Sequence, residues 1–116
     1  MPAPELPSLR RACVVLLPKA PVLEWLSQLT KTEAGKGVGR AAYLKRLPAF
    51  LVPPYADKEG LAQVLELTWE EMFEAVLGAW SEDPKDWPSG RSLAMFEEWF
   101  DPVVQPEVLD LGAGAL

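Results

Sequence analysis

Apolar and polar positions follow a helical period over residues 58–80, the longest patterned stretch of the chain. Glu66, Glu70 and Glu74 fall on a different face from the apolar positions. Asp57 precedes the stretch, and its side chain can accept a hydrogen bond from a free N–H of the first turn. The pattern predicts a long helix that forms the spine of the core. Its apolar positions recur at i, i+3, i+4 and i+7: Leu61, Val64, Leu65, Thr68, Trp69, Met72, Phe73, Val76, Leu77 and Trp80.

Shorter apolar segments predict four further elements. Residues 11–17, RACVVLL, form a short apolar run rich in β-branched residues, which is typical of a buried strand. Residues 21–30 begin with a proline and have the spacing of a short amphipathic helix. Residues 49–53 predict a second strand, and residues 91–100 predict a helix with one aromatic face.

The predicted order of elements is β-α-β-α-α-β, because a last strand is expected over residues 103–111. Pro106 restricts that strand to an edge of the sheet. The order indicates an α+β fold in which helices pack on one face of a small three-stranded sheet. We expect the first two strands to be parallel neighbours joined by a right-handed crossover. One domain over residues 11–111 is expected, between a flexible arm at 1–10 and a flexible tail at 112–116.

Composition removes several classes of chemistry. The chain of 116 residues has no histidine and one cysteine, Cys13, whose place in ACVVLL predicts a small apolar residue of a core strand. Ser–His and Cys–His pairs, histidine–zinc sites and an intrachain disulfide are therefore excluded. We predict no catalytic residue, no metal ligand and no cofactor. No apolar run reaches the about 18 residues of a membrane-spanning helix and no secretory signal is visible, so we expect a cytoplasmic protein with no membrane contact.

Charge is distributed unevenly along the chain. Residues 1–58 hold nine Lys or Arg and four Asp or Glu, whereas residues 59–116 hold two and thirteen. The simplest interpretation is intramolecular pairing of the basic and acidic halves, and the main alternative is that the basic half binds an acidic partner or a second copy. A sequence pI near 4.6 makes nucleic acid the weaker partner. Residues 31–46 are Gly-rich and basic and predict a flexible loop. Five cations cluster in this basic loop: Lys31, Lys36, Arg40, Lys45 and Arg46.

Three further groups of residues were weighed as sites. Residues 35–40, GKGVGR, could hold an anion with backbone N–H groups, but they match neither phosphate-loop motif, so a solvated loop is favoured. Trp87 and Arg91 lie in a Pro- and Gly-containing corner, where Arg91 is expected to bond a carboxylate or a loop carbonyl; they are also the best candidates for a partner site on the acidic half. The long helix also carries four carboxylates, which are expected to form an acidic face in contact with water. The alternative is that they bind a hard cation. They are Glu66, Glu70, Glu71 and Glu74.

Several segments together resemble a group of small bacterial proteins with no assigned activity. They are LLPKAPVLEWL at 16–26, FLVP at 50–53, WEEMFEAVLGAW at 69–80, WPSGRSLAMFEEWFD at 87–101 and VLDL at 108–111. The WP-x-x-R segment and the F-x-x-WFD segment are the most specific part. The resemblance implies a strand–Pro–helix opening, a long helix with aromatic anchors and a cytoplasmic setting, but no reaction.

These observations favour a non-catalytic protein–protein interaction module that self-associates, as a homodimer for example. A mean hydropathy of +0.03 also favours an apolar contact surface. The first alternative is a metal-dependent protein or enzyme that uses the carboxylates of the long helix. The second is a nucleic-acid-associated factor that uses the basic loop. The predicted partner-binding residues are Lys31, Lys36, Arg40, Lys45, Arg46, Trp87 and Arg91.

Overall fold

A computed structural model describes residues 10–29 and 39–112 of the chain. They form four α-helices, one short 3-10 turn and a three-stranded sheet, an α+β fold as predicted. The elements in order are β1 (Ala12–Pro18), α1 (Ala20–Leu29), α2 (Arg40–Arg46), β2 (Ala49–Val52), α3 (Lys58–Trp80), the 3-10 turn (Pro84–Asp86), α4 (Leu93–Trp99) and β3 (Phe100–Gln105). The predicted arm and tail lie outside the described residues except for Arg10 and Gly112.

The sheet has the order β2-β1-β3, and both outer strands run antiparallel to β1. Val14 in the centre of β1 pairs with Phe50 of β2 and Val104 of β3. The predicted parallel pairing of the first two strands is therefore wrong. The predicted edge position of the last strand is confirmed.

The helix α2 explains the antiparallel pairing. The predicted loop over residues 31–46 is wrong in its last part, because residues 40–46 form a helix whose Tyr43 is fully buried. The β1–β2 ladder ends at the pair Val15–Ala49. Beyond it, Tyr43 Oη donates to the carbonyl of Leu16 at 2.9 Å. The contact holds α2 beside the last residues of β1, so β2 starts at that end and runs back.

The long helix α3 has the predicted bounds. Asp57 caps it, because its Oδ1 accepts a hydrogen bond from the Gly60 N–H at 2.8 Å. The predicted apolar positions supply much of the core, with Val64, Met72, Phe73, Val76 and Leu77 buried. Of the five tryptophans only Trp99 is buried; the other four are partly buried and pack around the core: Trp25, Trp69, Trp80 and Trp87.

The chain passes from α4 into β3 without a loop. Ser92 caps α4 by accepting from the Met95 N–H at 3.1 Å. Phe100 already has extended backbone angles and ends the helix. The Lys19 N–H donates to the Trp99 carbonyl at 2.9 Å and so continues the β1–β3 pairing. The last strand thus begins three residues before the predicted 103–111 segment and ends before Pro106.

Candidate functional site

Two of the basic residues predicted to bind a partner, Arg40 and Arg46, donate hydrogen bonds to backbone carbonyls of the protein. The guanidinium of Arg40 donates to the carbonyl of Pro18 at 3.3 Å. Arg46 donates to the carbonyl of Ala79 at 2.7 Å and lies 4.3 Å above the ring of Trp80. A cation at this place satisfies a free carbonyl at the end of α3 and interacts favourably with the helix dipole.

The basic cluster is only partly within the described chain. Lys45 is exposed at the end of α2, where Arg46 binds a backbone carbonyl of α3. Arg46 therefore joins the basic stretch to the long helix. It does so through a backbone carbonyl and not through the pairing of opposite charges that the sequence predicts. Lys31 and Lys36, with most of the 35–40 loop, lie outside the described residues.

Trp87 and Arg91 form a closed corner against the C-terminal half of α3. The indole N–H of Trp87 donates to the Ser81 carbonyl at 2.9 Å. Arg91 donates to the Pro88 carbonyl and to Glu74 Oε1, both at 3.0 Å, and its guanidinium lies 5.6 Å from the centre of the Trp87 ring. These are the structural contacts expected of Arg91. Partner binding by this corner stays a prediction, since both residues are partly buried and bonded within the chain.

The carboxylates of α3 do not converge. Glu66, Glu70 and Glu71 are exposed, and Glu74 is paired with Arg91. Within residues 10–29 and 39–112, no group of three or more Asp, Glu or Cys side chains lies close enough together to hold a metal ion. Four surface grooves among the described residues each contain at most one carboxylate, from Asp86, Glu24 or Glu71. These grooves therefore supply no pair of carboxylates for acid–base catalysis.

One face of the sheet is apolar and has no helix packed against it among the described elements. Ala12, Val14, Leu16 and Pro18 are buried on the face that meets the helices. Successive residues of a strand point to opposite faces, and directly opposite residues of an antiparallel pair share a face. We call the second face the open face. Its members are Cys13, Val15, Leu17, Ala49, Leu51, Asp101, Val103 and Gln105.

Exposure sets the open face apart from the core. Leu51 is 54% exposed and Val103 is 38% exposed. Cys13, Val15 and Leu17 are partly exposed, and none of the five belongs to the core cluster or packs against it. The expectation that Cys13 is a core residue is therefore wrong.

The composition of β1 does not suit a strand with one wet face. Such strands alternate between apolar and polar residues, whereas a continuous apolar run is typical of strands covered on both sides. Residues 12–17, ACVVLL, are apolar throughout. This apolar run predicts a buried strand, but the sequence does not reveal that the described helices cover only one face of it. The open face is the candidate functional site.

No protein-family model, curated protein or solved structure matches the chain. The resemblance carried by the WP-x-x-R and F-x-x-WFD segments remains an expectation. No helix among the described residues is long and apolar enough to cross a membrane. The site is therefore interpreted from its own geometry.

Proposed function

We propose that this protein is a non-catalytic interaction module that binds a protein partner through the open face of its sheet. The observation that carries the proposal is the central strand, which is apolar on both faces and covered by the described helices on one. Leu51 and Val103 flank this strand and are among the most exposed large apolar side chains of the described chain. Covering them removes apolar surface from water, which is the dominant favourable contribution to most protein association.

The two alternatives have weaker support. The metal-dependent alternative needs converging carboxylates, and the described acidic residues of α3 do not converge. The nucleic-acid alternative needs free cations, and Arg40 and Arg46 are directed to backbone carbonyls. The proposal keeps the cytoplasmic bacterial setting that the sequence features and the resemblance imply.

Site-specific photo-crosslinking in growing cells tests the proposal. A photoreactive phenylalanine analogue replaces Leu51 on the open face. The matched control carries it in place of Leu67, which lies on α3 and is 82% exposed. We expect a defined adduct from position 51, identified by peptide mass spectrometry as one protein, and none from position 67.

A second substitution separates specific from random contact. Val103→Glu places a charge on the open face across β1 from the crosslinker, and we expect it to remove the adduct formed from position 51. Circular dichroism and a melting curve check that the fold is retained. Equal adducts from positions 51 and 67, or no adduct from either, would exclude the open face as the contact surface.

A further inference from the structure

We infer that the occupant of the open face is a second copy of this chain, packed face to face about a two-fold axis with the two β1 strands antiparallel. The inference rests on the proposed function of the open face and adds the partner and its orientation. It follows from where the apolar and charged residues lie on that face.

The middle of the open face suits contact with itself. Val15 lies at the centre of β1, flanked by Ala49 on β2 and Val103 on β3. In a two-fold interface, a residue near the axis meets its own copy. An axis that passes by Val15 therefore brings small and β-branched side chains together, and no charged side chain of the open face lies at the centre.

The charges of this surface lie at opposite ends of the central strand. Arg11 directly precedes β1 and is exposed. The alternation of β1, continued by one residue, places Arg11 on the same side as Cys13. Lys19 follows the other end of β1, but its Nζ is held by the Glu97 carbonyl of α4 at 2.8 Å. Asp101 is opposite Leu17, near the other end of β1, and is also exposed. Within one molecule, Arg11 and Asp101 are separated by about 20 Å along the direction of β1, because Asp101 lies opposite Leu17 and a strand rises about 3.3 Å per residue. They cannot form a pair within one molecule.

The positions of these charges select the orientation of the second copy. If the axis ran along β1, the two strands would be parallel and Arg11 would face Arg11, which is repulsive. If the axis crosses β1 at Val15, the strands are antiparallel and Leu17 of one copy lies over Cys13 of the other. Asp101 of one copy then lies diagonally across from Arg11 of the other. The symmetry forms this pair twice.

The diagonal pair is within reach. Face-to-face sheets are about 10 Å apart, neighbouring strands about 4.8 Å, and Arg11 is two residues, or about 7 Å, beyond Cys13. These offsets place the two Cα atoms roughly 13 Å apart. A long arginine side chain and an aspartate that extend towards each other bridge that distance, and the arginine fork suits a carboxylate.

The size of the open face predicts a weak dimer. Three strands and about six residues give a patch roughly 14 Å wide and 20 Å long. A stable interface usually buries about 800 Å² on each partner, which is more than this patch supplies by itself. We therefore expect a dimer that dissociates on dilution through the micromolar range and that high salt weakens, because its charged pairs lie at the rim.

Sedimentation equilibrium over low micromolar to millimolar concentrations tests the inference through a charge swap. Arg11→Glu and Asp101→Arg should each weaken the dimer about tenfold, since each places like charges across the interface. The double variant, Arg11→Glu with Asp101→Arg, has the net charge of the natural chain and should recover to within about threefold, which is the signature of direct coupling. Lys85→Glu and Glu98→Arg are the controls; each makes the same charge change at an exposed position outside the open face and should leave the dimer unchanged.

Each result has a definite meaning. Recovery in the double variant together with unaffected controls supports the antiparallel dimer. A monomer at every concentration overturns the second copy as occupant, but the crosslink from position 51 to another protein would leave the proposed function standing. A dimer that Val103→Glu abolishes and the charge swap does not restore overturns the orientation. A dimer indifferent to Val103→Glu uses another surface, such as the outer edge of β2, and overturns the inference as a whole.

Discussion

At the residue scale, side chains that bind backbone carbonyls fasten the elements of this fold. Arg40, Tyr43 and Arg46 join α2 to β1 and α3 in this way, whereas Arg91 joins the Trp87 corner to α3 through the carboxylate of Glu74. The carbonyl partners of the three α2 side chains could not be predicted from sequence, because a carbonyl acceptor leaves no mark in the residue type. The prediction that Arg91 bonds a carboxylate or a loop carbonyl is confirmed. It could be made from sequence because a single arginine surrounded by acidic residues has few other roles.

Arg91→Ala should destabilise the protein by about 1–2 kcal/mol. The variant loses a part-buried pair with Glu74 and a bond to the Pro88 carbonyl, and hydrogen bonds that involve a charged group contribute about 1.5–3 kcal/mol. The expected loss in the variant is smaller than this range because the Arg91–Glu74 pair is partly exposed to water, which weakens it. Urea unfolding measures the change. Lys85→Ala, at an exposed position of the same corner, should change it by less than about 0.5 kcal/mol; equal losses in both variants would contradict the role of Arg91.

Tyr43 should make the fold sensitive to alkaline pH. Burial raises the pKa of its phenol well above the ordinary value of 10.0, because the charged form is poorly solvated. In the unfolded chain the phenol ionises near pH 10. The stabilisation is therefore complete below pH 10 and is lost as the pH rises towards the folded pKa.

The matching measurement compares the natural chain with Tyr43→Phe. At neutral pH the variant should lose about 1–2 kcal/mol, since the Leu16 carbonyl loses its donor. Above pH 10 the free energy of unfolding should fall more steeply in the natural chain, by up to about 1.4 kcal/mol per pH unit. Parallel pH profiles for the two proteins would show that Tyr43 ionises freely when folded.

At the element scale, length decided what could be predicted. The 23 residues of α3 repeat their apolar spacing over six turns and begin with a capping residue, so the bounds of α3 were predictable. The seven residues of α2 have no such repeat and follow a Gly-rich stretch. A helix this short is unstable by itself, and its contacts with β1 and α3 are what hold it. The wrong strand direction followed from missing this one element.

Asp57→Ala should destabilise the protein by about 1 kcal/mol, since it removes the side-chain acceptor that caps α3. Asp57→Asn keeps an oxygen in the same place and should retain most of the stability. Glu59→Ala, an exposed change in the first turn, controls for loss of negative charge near the helix dipole. The free energy of unfolding from urea titration ranks the three; equal effects for Asp57→Ala and Asp57→Asn would mean that charge, not the hydrogen bond, is responsible.

At the scale of the whole molecule, the sequence predicted the fold class and an apolar contact surface. It did not predict which face of the protein forms that surface. Continuous apolar residues in β1 require cover, and only the three-dimensional arrangement reveals which side the described helices leave open. The charge asymmetry could be read from the sequence, but the structure uses Arg40 and Arg46 to bind backbone carbonyls rather than acidic side chains. The rim charges at Arg11 and Asp101 became meaningful only once the register of β1 and β3 was known.

Divalent cations should leave the melting temperature unchanged. The described carboxylates are dispersed, and a site that bound only the folded state would add about 2.7 kcal/mol at a hundredfold excess over its dissociation constant. Differential scanning fluorimetry with Mg²⁺, Mn²⁺, Ca²⁺ or Zn²⁺, against a chelator control, measures this. A rise with one ion that Glu70→Gln or Glu74→Gln abolishes would revive the metal-dependent alternative.

The position of Cys13 gives the natural chain a built-in reporter. It is the sole thiol of the protein, and it lies on the open face two residues from Val15. Thiolate formation and access set how fast a thiol reacts, so its alkylation rate depends on whether the sheet is covered. With no mutation at all, the rate constant for a small maleimide should fall as protein concentration rises and recover on dilution, while a rate independent of concentration would mean that the thiol stays equally accessible throughout.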